Sequence, residues 1–354
     1  MILNKYSAKK IILLLFSFLI LVFIGIKLMT THSEAKTSEV AKHGQLLVGR
    51  SSIDVFEAYE IQSSSARYDE MILRVNNSIS EKSFLDWSAK RWDEIKLGRG
   101  CGVEEFPNRV YKETPHAVWF KFNGCNIGDK ESPRIVYFGE GGVWVNNRML
   151  HIAPGGDPNA DKSIPKIIKK VSEASSSSEK NGFCLDFYCI DAPISKNETA
   201  NIKVAFPSVS GLRMMVKTET YTTEQNLFYS RRESDKKDDS VEDSANSVSG
   251  LEYRSPSLRK INGIEGEENI SGYSVKIKEN EYMNIIQARW YHPGTSGVET
   301  DPEVEINLIY ELRLNHEPSS KGWFDRQTVK ETGFSAEKFL SMWEATLKSF
   351  KIKR

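Results

Sequence analysis

The stretch VEINLIYELRL, Val304 to Leu314, decides the fold class. Val304, Ile306, Leu308, Tyr310, Leu312 and Leu314 share one side of a period of two, and Glu305, Asn307, Glu311 and Arg313 share the other. That alternation is the mark of a strand buried on one face and wet on the other. The same pattern recurs upstream, where Leu212, Met214, Val216, Thr218 and Thr220 alternate with Arg213, Met215, Lys217 and Glu219. Further strand-like runs, Ala117 to Phe122, Arg134 to Phe138 and Val143 to Asn146, are rich in aromatic and β-branched residues and are separated by glycine, asparagine and proline.

Helical periodicity is interleaved with these strands. Ser78 and Glu81 read as a capping box for a helix with Leu85, Ala89, Trp92 and Ile95 on one face, ended by Gly98. Ser163 reads as the cap of a short helix with Pro165 in its first turn and Ile167, Ile168 and Val171 facing inward. Ser335 caps a closing helix with Phe339, Trp343, Leu347 and Phe350 on one stripe, and Lys351, Lys353 and Arg354 in its last turn. The expected architecture is α+β: two β-rich domains, each an antiparallel sheet with packed helices, in a two-lobed arrangement.

The N-terminus adds a targeting element. Ile11 to Ile26 is apolar apart from Ser17 and Gly25, and Lys5, Lys9 and Lys10 precede it. With Leu28 and Met29 included, the segment approaches the roughly 20 residues of a spanning helix. Residues 1–30 are therefore expected to be a signal anchor, or a signal peptide cut near Ser33 to Ala35, and residues 31–41 a polar spacer. The remaining chain, roughly 315 residues, exceeds the size of one growing core, so two domains are expected. The serine run Ser175 to Ser178 has nothing apolar to bury, which gives domains at 42–174 and 181–354 joined by a linker at 175–180. Residues 231–249 carry many charges and only two valines, and read as a mobile loop inside the second domain.

Charge and cysteine usage narrow the function. Formal net charge is zero with 48 residues of each sign, which removes a bulk electrostatic case for nucleic acid. Cys101, Cys125, Cys184 and Cys189 all fall in the exported part and form two sequence-local couples, so disulfides are the default reading. Four free thiols are the alternative. The first couple would close a loop of about 25 residues, worth roughly 3 kcal/mol in the chain-entropy model.

Catalytic and cofactor signatures fail one by one. Gly294, Thr295, Ser296 and Gly297 fall one residue short of G-x-S-x-G and read as a turn. Six scattered histidines include no H-x3-H pair, and no phosphate loop or dinucleotide fingerprint is present. Glu265, Glu267 and Glu268 could supply the paired carboxylates of a glycan hydrolase, although acidic residues on a glycine-rich turn are as a rule solvated. No cofactor and no metal are expected, and the chain reads as a binding protein.

Several runs in order carry a resemblance. LVGRSSIDV from Leu47 to Val55 contains Gly49, Arg50 and Asp54; GEGGVWVNNRML from Gly139 to Leu150 contains Trp144, Asn146 and Arg148. FCLD follows from Phe183 to Asp186, then INGIEGEE from Ile261 to Glu268 with Gly263, Gly266, Glu267 and Glu268, then Trp290 and Trp343. Together these resemble the two-domain Tli-type immunity proteins, type VI secretion partners that neutralise Tle-type phospholipase effectors. The resemblance implies a periplasmic protein, tethered to the inner membrane by residues 11–29 or soluble after cleavage. It implies one partner, the cognate phospholipase, gripped at its lid region by a two-jawed clamp, and no catalysis. A structural or scaffolding module of the envelope and a glycan hydrolase are the alternatives. The motif residues are expected to be structural, with Gly49, Gly141, Gly142, Gly263 and Gly266 serving turns and Trp144 and Trp290 packing cores. Effector contact is expected from the polar loop after Arg231 and Arg232, from the turn carrying His292, Glu299 and Asp301, and from the cleft between domains.

Overall fold

A computed structural model describes residues 44–97, 110–114, 116–125, 135–155, 159–174, 182–220, 247–315 and 334–352. They belong to one compact unit spanning Glu39–Arg354. The first part of the chain runs β1 (Gln45–Gly49), β2 (Ser51–Asp54), β3 (Glu60–Tyr68), β4 (Met71–Asn76), α1 (Glu81–Lys96), β5 (Val110–Thr114), β6 (Ala117–Cys125), β7 (Ile135–Val145), β8 (Arg148–Pro154), α2 (Ala160–Ile168) and β9 (Val171–Glu173). It continues as β10 (Phe183–Leu185), β11 (Tyr188–Ile190), β12 (Thr199–Ala205), β13 (Leu212–Glu219), β14 (Ser247–Ile261), β15 (Ile264–Lys278), β16 (Glu281–His292), β17 (Glu303–Leu314), α3 (Ala336–Ser349) and β18 (Lys351–Ile352).

The class is α+β. Among the described residues the strands form a 12-stranded sheet, β14-β15-β16-β17-β13-β12-β3-β4-β8-β7-β6-β5, and a six-stranded sheet, β18-β2-β1-β10-β11-β9. The centre of the large sheet joins the two sequence halves, because β12 pairs antiparallel with β3, Asn201 opposite Ser65. The small sheet does the same, with Val48 of β1 opposite Leu185 of β10. Leu46, Val48, Phe183 and Leu185 of the small sheet share one apolar core with Ala200, Ile202 and Val216 of the large one.

The period-two reading of β13 and β17 holds. Leu212, Met214, Val216 and Thr218 are buried while their neighbours are half-exposed, and Val304, Ile306, Leu308 and Tyr310 meet them across the β13–β17 ladder. In β17 the polar Asn307 is also buried, which the alternation did not foresee. The closing helix α3 starts as expected, with the Ser335 hydroxyl accepting from the Lys338 amide, and buries Phe339, Trp343 and Leu347. Its basic tail does not continue the helix: the last turn carries Lys348, and Lys351 pairs with Ser52 of β2 instead.

Other local expectations are corrected. The first helix is capped by Ser80, not Ser78, and Ser78 adopts a left-handed conformation at φ 57°. Its buried face is Phe84 and Ser88 with Trp87, Trp92 and Ile95 beside them, whereas Leu85 points outward. Residues 135–138 and 143–145 of those two runs belong to one 11-residue strand, β7, and Asn146 lies in the turn after it. Helix α2 begins at Ala160 behind Asn159, upstream of Ser163, with Pro165 inside it, and Val171 has already entered β9.

Gly141 and Gly142 explain the β7 misreading. Neither forms a turn; they are consecutive mid-strand residues, so they face opposite sides of the sheet. A Cβ on Gly141 would strike Ile168 of α2 at 2.7 Å, and one on Gly142 would strike Trp87 of α1 at 2.9 Å. The pair therefore lets a helix close on each face of the same strand.

Cys184 and Cys189 are register partners on β10 and β11 and are disulfide-bonded, as expected. Cys101 lies outside the described residues. So do residues 1–43, including the apolar segment, the 175–180 linker, and residues 221–246, which include 231–246 of the charged stretch; β14 begins at Ser247, inside that stretch. Among the described residues no helix is long and apolar enough to cross a membrane.

Candidate functional site

Most of the motif residues make buried or half-buried contacts, whereas Asp54, Asn146 and Gly263 are exposed. Gly49 closes β1 at φ 59°, and a Cβ there would meet the Thr218 hydroxyl, so the strand end lies flush against β13. Arg50, next in sequence, is 7% exposed, and its Nε and Nη2 grip the Glu198 carboxylate at 2.8 and 2.7 Å. The guanidinium also donates to the carbonyls of Ala192 and Pro193. Glu198 accepts from the Ser195 amide as well, so this buried fork is fully engaged.

A second buried set surrounds Asp186. Its carboxylate accepts from the Tyr59 hydroxyl at 2.9 Å and pairs with Arg148 at 3.1 Å, and Arg148 lies 4.5 Å over the Phe187 ring. Burial pushes the Asp186 pKa up in spite of Arg148, and burial together with the Asp186 charge pushes the Tyr59 phenol up. Trp144 donates to the Ile79 carbonyl at 2.6 Å, fixing the entry to α1. Asn146, at φ 48°, forms the β7–β8 turn with Asn147, and its amide reaches Glu173 at 2.8 Å. Asp54 accepts from Gln45, and its backbone amide donates to Ser349 behind α3.

The third set corrects the expected solvation of the acidic run at Glu267 and Glu268, while Glu265 is exposed as expected. Asn262 and Gly263 form the β14–β15 turn, and Glu267 and Glu268 lie within β15, 2% and 1% exposed. As consecutive strand residues they face opposite sides, so they cannot flank one glycosidic bond. Glu268 accepts from Trp343 Nε1 at 2.7 Å and pairs with Arg259, which also holds Glu344. Burial opposes the Arg259 charge, yet Glu344 and Glu268 raise its pKa overall. Gly266 is a mid-strand residue with the Trp290 indole against it, and Trp290 donates to the Arg259 carbonyl at 3.2 Å. Nothing in the local pattern marks Arg259 and Glu344, 85 positions apart, as partners.

The turn after β16 is a different kind of object. His292 Nδ1 lies 2.7 Å from the Glu265 carbonyl, and its Nε2 lies 3.1 Å from the Asp301 carboxylate. The Thr295 hydroxyl donates to the same carboxylate at 2.6 Å, and the amides of Thr295, Val298 and Asp301 donate to Asp301, Thr295 and Val298 respectively. His292 and Asp301, expected as contacts, therefore build the turn. Glu299 and Thr300 line a small pocket with Gly49, Arg50 and Glu198, so the turn rests over the buried fork. Arg231 and Arg232 lie outside the described residues.

These observations define a rigid antiparallel scaffold whose motif residues are structural, with an ordered turn packed over its buried Arg50–Glu198 fork. The chain belongs to the family of Tle cognate immunity protein 4, whose C-terminal domain matches residues 178–354. The whole fold recurs in solved structures. The apo immunity protein TplEi of the type VI secretion system of Pseudomonas aeruginosa aligns at a TM-score of 0.55 and 13% identity, covering 87% of this chain and 96% of its own. The same protein complexed with "L" peptide gives 0.57 and 13%, covering 90% and 99%. The crystal structure of a Tle4–Tli4 complex gives 0.56 and 13%, covering 87% and 97%. No curated protein matches this chain in sequence.

Proposed function

We propose that this chain binds a Tle-type phospholipase effector of a type VI secretion system and keeps it inactive in the periplasm of the cell that makes both. Membership of the Tle cognate immunity family carries this reading. Inhibition of this kind needs no chemistry from the inhibitor. Preferential binding to the closed effector is enough, because a ligand shifts an equilibrium by its difference in affinity between two states. The chain clamps the effector's lid region, and catalysis is no part of its role. The Cys184–Cys189 disulfide supports an oxidising compartment.

Residues 11–29 tether the chain to the inner membrane, which concentrates it where a phospholipase acts. The linker at 175–180 joins an N-terminal and a C-terminal immunity domain, a division supported by the start of the C-terminal family match at residue 178. The test is protection: cells exporting a Tle4-type phospholipase effector should lyse without the chain and survive with it. Equal lysis in both, with the chain present in the periplasm, overturns the reading. Membrane fractionation of the same cells reports the tether, which is lost if the chain is recovered as soluble protein.

A further inference from the structure

We infer that the overhang of β17 beyond β13 is a docking edge that takes an extended, acidic segment of the partner as an added strand. This rests on the effector-binding reading above and names the point of contact. The ladder between the two strands begins at Leu212 opposite Tyr310, and just beyond it the Glu311 amide donates to the Gly211 carbonyl. There β13 reaches no further, while β17 runs on to Leu314, which pairs with Tyr282 of β16 on the other side. Backbone groups of successive strand residues point to alternate edges. Glu311 points towards β13, so Leu312 points towards β16, and the amide and carbonyl of Arg313 point into the place beyond the end of β13. Among the described residues no strand pairs with Arg313 on that side.

A cavity of about 750 Å³ occupies that place. Its walls include two unbroken runs, Pro207–Gly211, which joins β12 to β13, and Tyr310–Arg313 of β17. A cavity on one face of a sheet meets every second residue of a strand, so one lined by consecutive residues lies at the strand's edge. Phe334, nearly enclosed, supplies an apolar wall, with its ring 4.4 Å from that of Tyr310. Lys338 lies 5.4 Å over the Phe334 ring and forms no ion pair among the described residues. The carboxylates nearby are engaged: Glu311 by Arg213, Glu281 by Lys278 and Arg313, and Glu57 by the Ser208 hydroxyl. Open main-chain groups, an apolar wall and a cation without a counter-charge together fit a strand that carries an apolar side chain beside a carboxylate.

The test titrates the full chain, in detergent, against the Tle4-type phospholipase from which it protects cells. Arg313→Pro removes the outward amide but none of the ladder to β16, because an edge-facing N–H is the one a strand can spare. It should weaken binding about tenfold, whereas Arg313→Ala, which keeps the amide, should bind within about threefold of wild type. Ser210→Trp, at an exposed position in the wall, should fill the cavity and weaken binding as well. A photo-cross-linking side chain in place of Lys338 should capture the effector. If Arg313→Pro unfolds early in urea, Ser210→Trp and the cross-link decide. Binding by Arg313→Pro and Ser210→Trp equal to wild type overturns the docking edge and leaves the immunity reading standing. Equal losses in Arg313→Ala and Arg313→Pro, or cross-links confined to this chain, overturn it too. If wild type does not bind at all, both fall together.

Discussion

Arg50 and Glu198 are 148 positions apart and almost fully enclosed, and that combination makes the pair a liability as well as a lock. A buried ion pair adds little over apolar packing, but removing one partner strands the other without water. Arg50→Ala should therefore cost about 3 to 5 kcal/mol in urea unfolding, and Arg50→Lys should recover only part, since a lysine cannot fork across both carboxylate oxygens. Glu140 gives a pH prediction with a defined sign. Burial pushes its pKa up, but hydrogen bonds with His151 and Arg91 outweigh that and hold it below the ordinary carboxylate value. A carboxylate with a lowered folded pKa stabilises fully above its unfolded value, about 4.3, and that contribution is lost as pH falls through the folded value. Glu140→Gln should thus be less stable than wild type at neutral pH, and the gap between their urea midpoints should close as the buffer is taken below about pH 4. A gap that persists unchanged into acid would show that the carboxylate's charge is not what matters.

Elements test whether the close approach at β7 is real. Gly142 admits Trp87 and Phe84 of α1, so Gly142→Val should force the helix outward at a cost of about 1 to 3 kcal/mol, as overpacking does. Tryptophan fluorescence should shift red with it as Trp87 gains water, and an unchanged spectrum would count against the packing described. How much of this was legible follows from period and range. Strands β13 and β17 and helix α3 have faces set by a single strong alternation or stripe, and those faces were read correctly from residues 212–220, 304–314 and 335–350. The α1 face was misread because Leu85 competes with Phe84 for the same stripe, and nothing local tells which one a distant Phe120 will meet. Glycines misled β7 because mid-strand glycine and turn glycine look alike in sequence. The acidic run failed for a deeper reason: Glu268 is buried because Arg259 and Trp343 reach it from other elements, and pairing at that range leaves no periodic trace. At the candidate site the turn itself was legible, but which of its residues brace it was not.

At the largest scale, the two sequence halves are joined through both sheets of the described residues. The linker at 175–180 divides the chain, yet strands from both sides of it share each sheet: in the large one they meet at the β3–β12 ladder, and in the small one they interleave, with β1 holding β10, β11 holding β9 and β18 returning to β2. Taken alone, the first half would leave β3 as an open edge with Ala66 and Tyr68 uncovered, and the second would leave β12 with Ala200, Ile202 and Val204 uncovered. An unpaired mid-sheet strand with a hydrophobic face is an aggregation site, so neither half should be soluble when expressed by itself. Co-expressed as 39–177 and 178–354, the two should associate and purify together, because the cut falls where the chain has nothing apolar to bury. For the intact chain, calorimetry should record one unfolding transition across both halves. The opposite outcome is concrete: two resolved transitions, or a soluble 178–354 fragment with native-like circular dichroism, would mean that the β3–β12 ladder joins two independently stable bodies and not one sheet. One transition also predicts how a local lesion spreads: Arg50→Ala, which strands Glu198 from the other side of the linker, should lower a single unfolding temperature for the whole chain rather than split off one half.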